Sequence, residues 1–275
     1  MKRISCIFLS QLLAFLSACN NNENAGATEY VDSENETIPR VNYGVVKTYP
    51  HDTTAFTEGL LVHNGLLYES TGSPGDMPQT RSLFGNVDLS TGKILTKAEL
   101  DREEYFGEGI SFLGGKIYQL TYQHKKGFIY DAATFKKIGE FPFYSKEGWG
   151  MTTDGRYLIM SDGTDLLTYL NPVDFKPIKT LNVRTEKGPV MKINELEFIN
   201  KYIYANIYET TTIIKIDTAT GKVAARLELG SLASEAKNRY RGAMEMNGIA
   251  YDSASGNIYI TGKMWPTLYE IRFAY

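Results

Sequence analysis

The sequence predicts an all-β protein, a five-bladed β-propeller whose ring is closed by an N-terminal strand completing the last blade. Three observations predict it. The first is a phrase that recurs five times: a polar or acidic residue, a small residue and an apolar residue, then a tight turn and an aromatic-rich strand. Its copies begin at Glu58-Gly59-Leu60, Glu108-Gly109-Ile110, Trp149-Gly150-Met151, Glu195-Leu196-Glu197 and Asn247-Gly248-Ile249. Their turn residues, Gly65, Gly115, Gly155, Lys201 and Gly256, lie 50, 40, 46 and 55 positions apart. A repeat of that length built of short strands is one propeller blade.

The second observation is a hairpin signal after four of the copies. Asp88-Leu89-Ser90-Thr91-Gly92-Lys93 and Asp217-Thr218-Ala219-Thr220-Gly221-Lys222 sit between apolar runs, and Asp131 to Lys136 and Asn171 to Lys176 are variants. An Asp or Asn opening such a turn accepts from the backbone two residues on. The third is that the last copy stops one strand short, at Tyr269 to Phe273, while a strand-like run, Tyr43 to Tyr49, precedes the first. Donated to the last blade, that run closes the ring and removes an edge that would invite aggregation; the alternative is a free N-terminal strand. Two insertions, Ser73 to Arg81 and the charged, helix-like Leu232 to Met246, are expected near a mouth of the ring.

Ahead of the ring lies a different kind of segment. Lys2-Arg3 is a basic start, and Ile4 to Phe15 is an apolar run too short to span a bilayer comfortably. Leu16-Ser17-Ala18-Cys19 looks like a bacterial lipobox, followed by the polar run Asn20 to Asn24. The reading is a lipoprotein signal peptide (1–18), a lipidated Cys19 with a flexible tether (19–42) and a propeller domain (43–275). An ordinary cleaved signal with an incidental cysteine is the alternative. Cys6 falls within the removed peptide and lipid takes Cys19, so neither a disulfide nor a thiol nucleophile is expected. The expected location is the bacterial cell envelope, anchored by lipid only. Asn20, rather than an aspartate, after Cys19 favours the outer membrane.

Net charge is −3 with both signs dispersed, which argues against a nucleic-acid footprint. The three histidines, His51, His63 and His124, lack ligand spacing, which argues against a histidine-held catalytic zinc. The 19 tyrosines mostly read as strand packing.

Ring symmetry brings one end of each inner strand to a common mouth. The residues so gathered are Glu58, Glu108, Trp149, Asn194 with Glu195 and Glu197, and Asn247. The following strands add Tyr122, Asp162, Tyr208 and Lys263-Met264-Trp265. A carboxylate, an amide, an ammonium and aromatic faces at one mouth exceed what core packing requires. Each also has a structural alternative: Glu58 or Glu197 bonding backbone amides between blades, or Trp149 packing between them.

Phe56-Thr57-Glu58-Gly59-Leu60, Glu69-Ser70-Thr71-Gly72, Phe106-Gly107-Glu108-Gly109, Glu147 to Thr152, Ser161 to Thr164, Asn194 to Glu197, Asn247 to Ala250 and Gly262 to Pro266 form an ordered set. Over about Val45 to Phe273 this set resembles the plant-latex and bacterial type of glutaminyl-peptide cyclotransferase, a five-bladed propeller family. The resemblance implies conversion of N-terminal glutamine to pyroglutamate with loss of ammonia. It implies Glu108 as acid–base carboxylate with Asn194 and Lys263 as catalytic partners, and Phe56, Glu58, Phe106, Tyr122, Trp149 and Tyr208 as the substrate-binding wall. Glutamine is the plant residue where Glu58 stands, and tryptophan where Tyr122 and Tyr208 stand. The extra carboxylate should repel Glu108 and raise the pKa of one of the two. The glycines flanking Glu108 are expected to leave room for a substrate backbone.

The expected partners are peptides or proteins beginning with glutamine, acted on by a monomer. No cofactor and no metal are required, and a structural ion in the central channel is left open. A non-catalytic propeller lipoprotein serving as a scaffold is the principal alternative, and a propeller hydrolase or sugar binder a further one.

Overall fold

The computed structural model describes residues 38–275, so the leader, Cys19 and most of the tether lie outside the described residues. Strand β1 (Tyr43–Pro50) comes first. The first blade is β2 (Phe56–His63), β3 (Leu66–Gly72), β4 (Leu83–Val87) and β5 (Ile94–Glu99). The second is β6 (Gly107–Leu113), β7 (Lys116–Thr121), β8 (Lys126–Asp131) and β9 (Lys137–Pro142). The third is β10 (Met151–Thr153), β11 (Leu158–Met160), β12 (Leu166–Leu170) and β13 (Pro177–Asn182). A two-stranded ribbon, β14 (Arg184–Thr185) and β15 (Gly188–Pro189), follows it. The fourth blade is β16 (Ile193–Ile199), β17 (Tyr202–Ile207), β18 (Thr212–Asp217) and β19 (Val223–Glu228). After helix α1 (Gly230–Arg239) come β20 (Met246–Asp252), β21 (Asn257–Gly262) and β22 (Thr267–Phe273).

Each blade is a four-stranded antiparallel sheet in chain order, and the fifth runs β20-β21-β22-β1. β1 pairs with β22 from Tyr43 opposite Phe273 to Pro50 opposite Thr267. The ring is therefore closed by the N-terminal strand, as the missing last strand predicted. The chain packs even before β1: Val41 N donates to Arg226 O (2.8 Å) and Arg226 N to Pro39 O (2.9 Å), along the outer strand of the fourth blade. Ordered contact thus begins ahead of the boundary expected at Tyr43.

Five apolar clusters hold the ring, one per blade-to-blade interface. Leu61, Tyr68 and Phe84 meet Ile110, Ile117 and Phe128 between the first and second blades. Leu60 and Leu67 meet Ala250, Tyr259 and Leu268 between the fifth and first. The remaining three clusters fill the interfaces between the second and third, third and fourth, and fourth and fifth blades. Tyr68, Tyr118, Tyr204 and Tyr259, each third in its blade's second strand, are buried in these interfaces, which accounts for much of the tyrosine content. Inner strands are buried on both faces, whereas outer strands such as β5 and β13 are largely exposed and carry lysine, which discourages edge-to-edge pairing.

The outer hairpins turn as expected. Asp88 Oδ1 accepts from Ser90 N (2.9 Å), Asp131 and Asp217 Oδ1 from Thr134 N and Thr220 N (2.8 Å each), and Asn171 Oδ1 from Val173 N (3.0 Å). The helical insertion is shorter than the sequence suggested. α1 ends at Arg239 with Leu232 and Ala236 buried, and the chain returns extended, pairing Met244 N with Lys263 O (2.9 Å) and Lys263 N with Glu245 O (2.9 Å).

Candidate active site

The inner strands carry a bulge at one shared place. Pairing slips between Thr57 and Gly59, Gly107 and Ile110, Ile193 and Leu196, and Met246 and Ile249. A bulge re-aims the side chain it carries. Glu58, Glu108, Asn194 and Asn247 occupy the bulged positions, and Trp149 takes the equivalent place ahead of β10. One residue later stand Gly59, Gly109, Gly150 and Gly248, facing the next blade. A Cβ on Gly109 would lie 2.4 Å from Met151 N, and one on Gly150 would lie 2.2 Å from Asn194 O. The glycines beside Glu108 thus let neighbouring blades touch. They do not make room for a substrate, contrary to the sequence expectation.

Phe56, Glu58, Pro74, Phe106, Glu108, Tyr122, Trp149, Asn194, Tyr208 and Lys263 line one cavity of about 260 Å³. All nine residues proposed for catalysis and substrate binding are brought together there. The tenth, Pro74, comes from the Ser73–Arg81 insertion. That loop is pinned by Arg102, whose guanidinium donates to Pro74 O (3.2 Å), Pro78 O (3.1 Å) and Thr80 O (3.0 Å).

The walls are aromatic. Phe56 meets Phe106 edge-on at 6.0 Å, Phe106 lies 5.9 Å from Tyr122, and Trp149 meets Tyr208 edge-on at 5.5 Å. Trp149 Nε1 donates to Glu147 Oε2 (3.0 Å). Gly163, at φ +79, lies beneath the indole, where a Cβ would come within 2.8 Å of the ring.

The polar groups divide into engaged and free. Lys263 Nζ lies 2.8 Å from Glu58 Oε1, 4.5 Å above the Phe56 ring centre and 5.3 Å from that of Tyr208. Glu58 Oε2 accepts from Asn247 Nδ2 (3.1 Å), which also donates to Thr57 O (3.0 Å). Burial raises the Glu58 carboxyl to about 7 against the pull of Lys263. Burial also works against the Lys263 charge, but Glu58 and Glu108 outweigh it and hold the ammonium above its usual range.

Glu108 is buried, at 4% exposure, and its Oε2 has no hydrogen-bond partner among the described residues. Burial pushes this carboxyl well above the ordinary carboxylate range, and the neighbouring Glu58 pushes it further, with Lys263 opposing. The like-charge effect expected from Glu58 is present. Asn194 Oδ1 is likewise buried without a partner. The main-chain carbonyls of these two residues are fixed from the preceding blades, Glu108 O by Ser70 Oγ (2.6 Å) and Asn194 O by Ser161 Oγ (2.7 Å). Their main chains are thereby held in place, while Glu108 Oε2 and Asn194 Oδ1 carry no hydrogen bond among the described residues.

Four residues expected at the mouth have other duties. Glu195 stands where the other blades have glycine, and its carboxylate accepts from Leu60 N (3.2 Å) and Ile249 N (2.8 Å), tying three blades together. Glu197 accepts from Tyr251 N (2.8 Å). Asp162 caps its own turn through Thr164 N (3.1 Å), and Trp265 is fully buried with Nε1 donating to Met244 O (3.0 Å). Among the described residues no group of three or more His, Cys, Asp or Glu side chains is placed to hold a metal.

The fold is thus a five-bladed propeller whose aromatic-walled cavity holds an acid unpartnered among the described residues, an amide and an ammonium. A model of the glutamine cyclotransferase family matches residues 12–273, and the chain belongs to that family. It is 38% identical over 230 residues to a glutaminyl-peptide cyclotransferase of Arabidopsis thaliana, covering 83% of this chain and 70% of that protein. The crystal structure of Myxococcus xanthus glutaminyl cyclase superposes with a TM-score of 0.77 at 32% identity, covering 86% of this chain and 98% of that one.

Proposed function

We propose that this chain is a glutaminyl-peptide cyclotransferase that converts the N-terminal glutamine of peptides and proteins to pyroglutamate. The observation that carries the reading is Glu108, a buried carboxyl with an oxygen unpartnered among the described residues, lining a cavity of about 260 Å³. The α-nitrogen attacks the side-chain amide carbon, forming the ring C–N bond, and the bond to the amide nitrogen breaks to release ammonia. Folding the glutaminyl side chain between Phe56, Phe106 and Trp149 supplies proximity, since the nucleophile is already attached.

What remains is proton traffic. Burial favours the protonated form of Glu108, which gives its proton to the leaving nitrogen and takes one from the α-nitrogen, ending as it began. Such transfer contributes about 10²–10⁴ in rate. Lys263, oriented by Glu58, faces the oxygen of the tetrahedral intermediate, and the Asn194 amide bonds the substrate amide or amine. No metal or cofactor enters this scheme. Incubating the chain with a Gln-initiated dipeptide and measuring ammonia tests it; no release would reject it.

The same reading extends to where the protein works. The lipobox-like Leu16-Ser17-Ala18-Cys19 supports a bacterial lipoprotein, anchored through Cys19 in the outer membrane after removal of its signal peptide. Firm anchoring takes more than one acyl chain. Fatty-acid label should enter the chain and be lost in Cys19→Ala; equal labelling would end this part of the reading. A monomer is favoured because all five blade interfaces are filled within one chain.

A further inference from the structure

His51 follows β1 directly, where the chain leaves the last blade for the first, and it is 6% exposed. Its Nδ1 lies 2.7 Å from Trp265 O, and its Nε2 lies 3.2 and 3.1 Å from the two carboxylate oxygens of Glu69. The Trp265 carbonyl accepts, and Glu69 in its ionised form accepts as well, so with that carboxylate charged both ring nitrogens donate. Neutral imidazole has a single N–H, and the contacts therefore call for an imidazolium. Burial opposes that charge, yet Glu69 outweighs it and raises the histidine above its usual range. The other acid near the ring, Asp52, is held 3.0 Å from Lys93.

The network continues under the cavity. Thr57 Oγ1 donates to Glu69 Oε1 (2.7 Å) and lies 3.3 Å from Gly262 O. Thr57 precedes Glu58, and Gly262 precedes Lys263. Among the described residues only two ion pairs have both side chains buried, His51–Glu69 and Lys263–Glu58. Both lie at the seam where the fifth blade meets the first. The other four interfaces join through apolar clusters and hydrogen bonds to backbone, with no buried ion pair among the described residues, and a buried ion pair is a weak source of net stability, so orientation is the better explanation of the second pair.

We propose that His51 is a positioning residue: as an imidazolium clasp with Glu69 and Thr57, it fixes the Glu58–Lys263 pair across the seam of the ring. The kinetic part of this rests on the cyclotransferase reading, whereas the protonation of His51 does not.

Long-range ¹H–¹⁵N correlation on the labelled chain should show both His51 ring nitrogens protonated at about pH 8, where an ordinary histidine is neutral. Glu69→Gln should abolish that signature and lower kcat about tenfold, and so should Thr57→Val lower kcat if Glu69→Gln does not fold. A cavity variant on the far side of the ring, Leu167→Ala, serves as a control for lost stability and should keep kcat. A neutral His51 ring at pH 7 in the unaltered chain would overturn the proposal. So would seam variants whose kcat equals that of Leu167→Ala. If the unaltered chain releases no ammonia, the cyclotransferase reading fails and the ring protonation alone decides the clasp.

Discussion

Lys263 Nζ lies 2.8 Å from Glu58 Oε1, and this contact joins the last blade to the first inside the cavity. The ion pair therefore depends on ring closure. The strand that closes the ring ends at Pro50, far in sequence from the Lys263 it helps to place, so fold and site share one joint.

Glu58→Gln should leave the enzyme active, because an amide can still accept from Lys263. It removes a group whose own titration falls near 7 and whose charge raises Glu108. The Glu108 pKa should fall, and the limb of the pH–rate profile set by Glu108 should move to lower pH. A shift to higher pH would contradict this electrostatic account.

Removing β1 should cost more than its small buried area suggests. A chain lacking residues 1–32 should melt like the whole protein, since none of the described contacts is lost. A chain lacking residues 1–49 exposes the edge of β22, removes the pairing from Tyr43 to Tyr49 and should melt lower or aggregate. Equal melting temperatures would count against closure as a source of stability.

Gly109→Ala should destabilise the ring although it adds a single methyl group. The new carbon meets backbone, Met151 N at 2.4 Å and Trp149 O at 2.6 Å, and backbone cannot rotate aside. Overpacking of this kind costs about 1–3 kcal/mol. Thermal unfolding measures it, and an unchanged midpoint would show that the blades can separate freely.

Turnover should survive exhaustive treatment with a zinc chelator, because the scheme moves protons through a carboxyl. Lost activity that returns on adding zinc would refute that mechanism. A lower melting temperature with unchanged turnover would instead indicate a structural ion.

Much of this was legible in the sequence because propeller geometry repeats. Five phrases at blade spacing place equivalent residues around one axis, so the sequence alone brings Glu58, Glu108, Trp149 and Asn194 to one mouth. What stayed hidden depends on register within the bulge. Glu195 sits one residue past Asn194, which turns its side chain toward the blades Leu60 and Ile249 belong to. The signal for it is the glycine that the other four blades carry at this place, Gly59, Gly109, Gly150 and Gly248. The His51–Glu69 contact had no local signal, because its meaning comes from Trp265, which the chain brings alongside only when the ring closes.

The central claim is that Glu108 carries the proton. Glu108→Gln keeps the shape and cannot shuttle, so steady-state ammonia release from a Gln-initiated dipeptide is the direct measurement. The account predicts kcat lower by about 10²–10⁴ with KM little changed. It also predicts a melting temperature at pH 8 no lower than that of the unaltered chain: with a raised folded pKa, the stability tied to the protonated Glu108 is lost as pH rises through that pKa, and glutamine has no proton to lose. Near-full turnover in a folded Glu108→Gln variant would contradict the account.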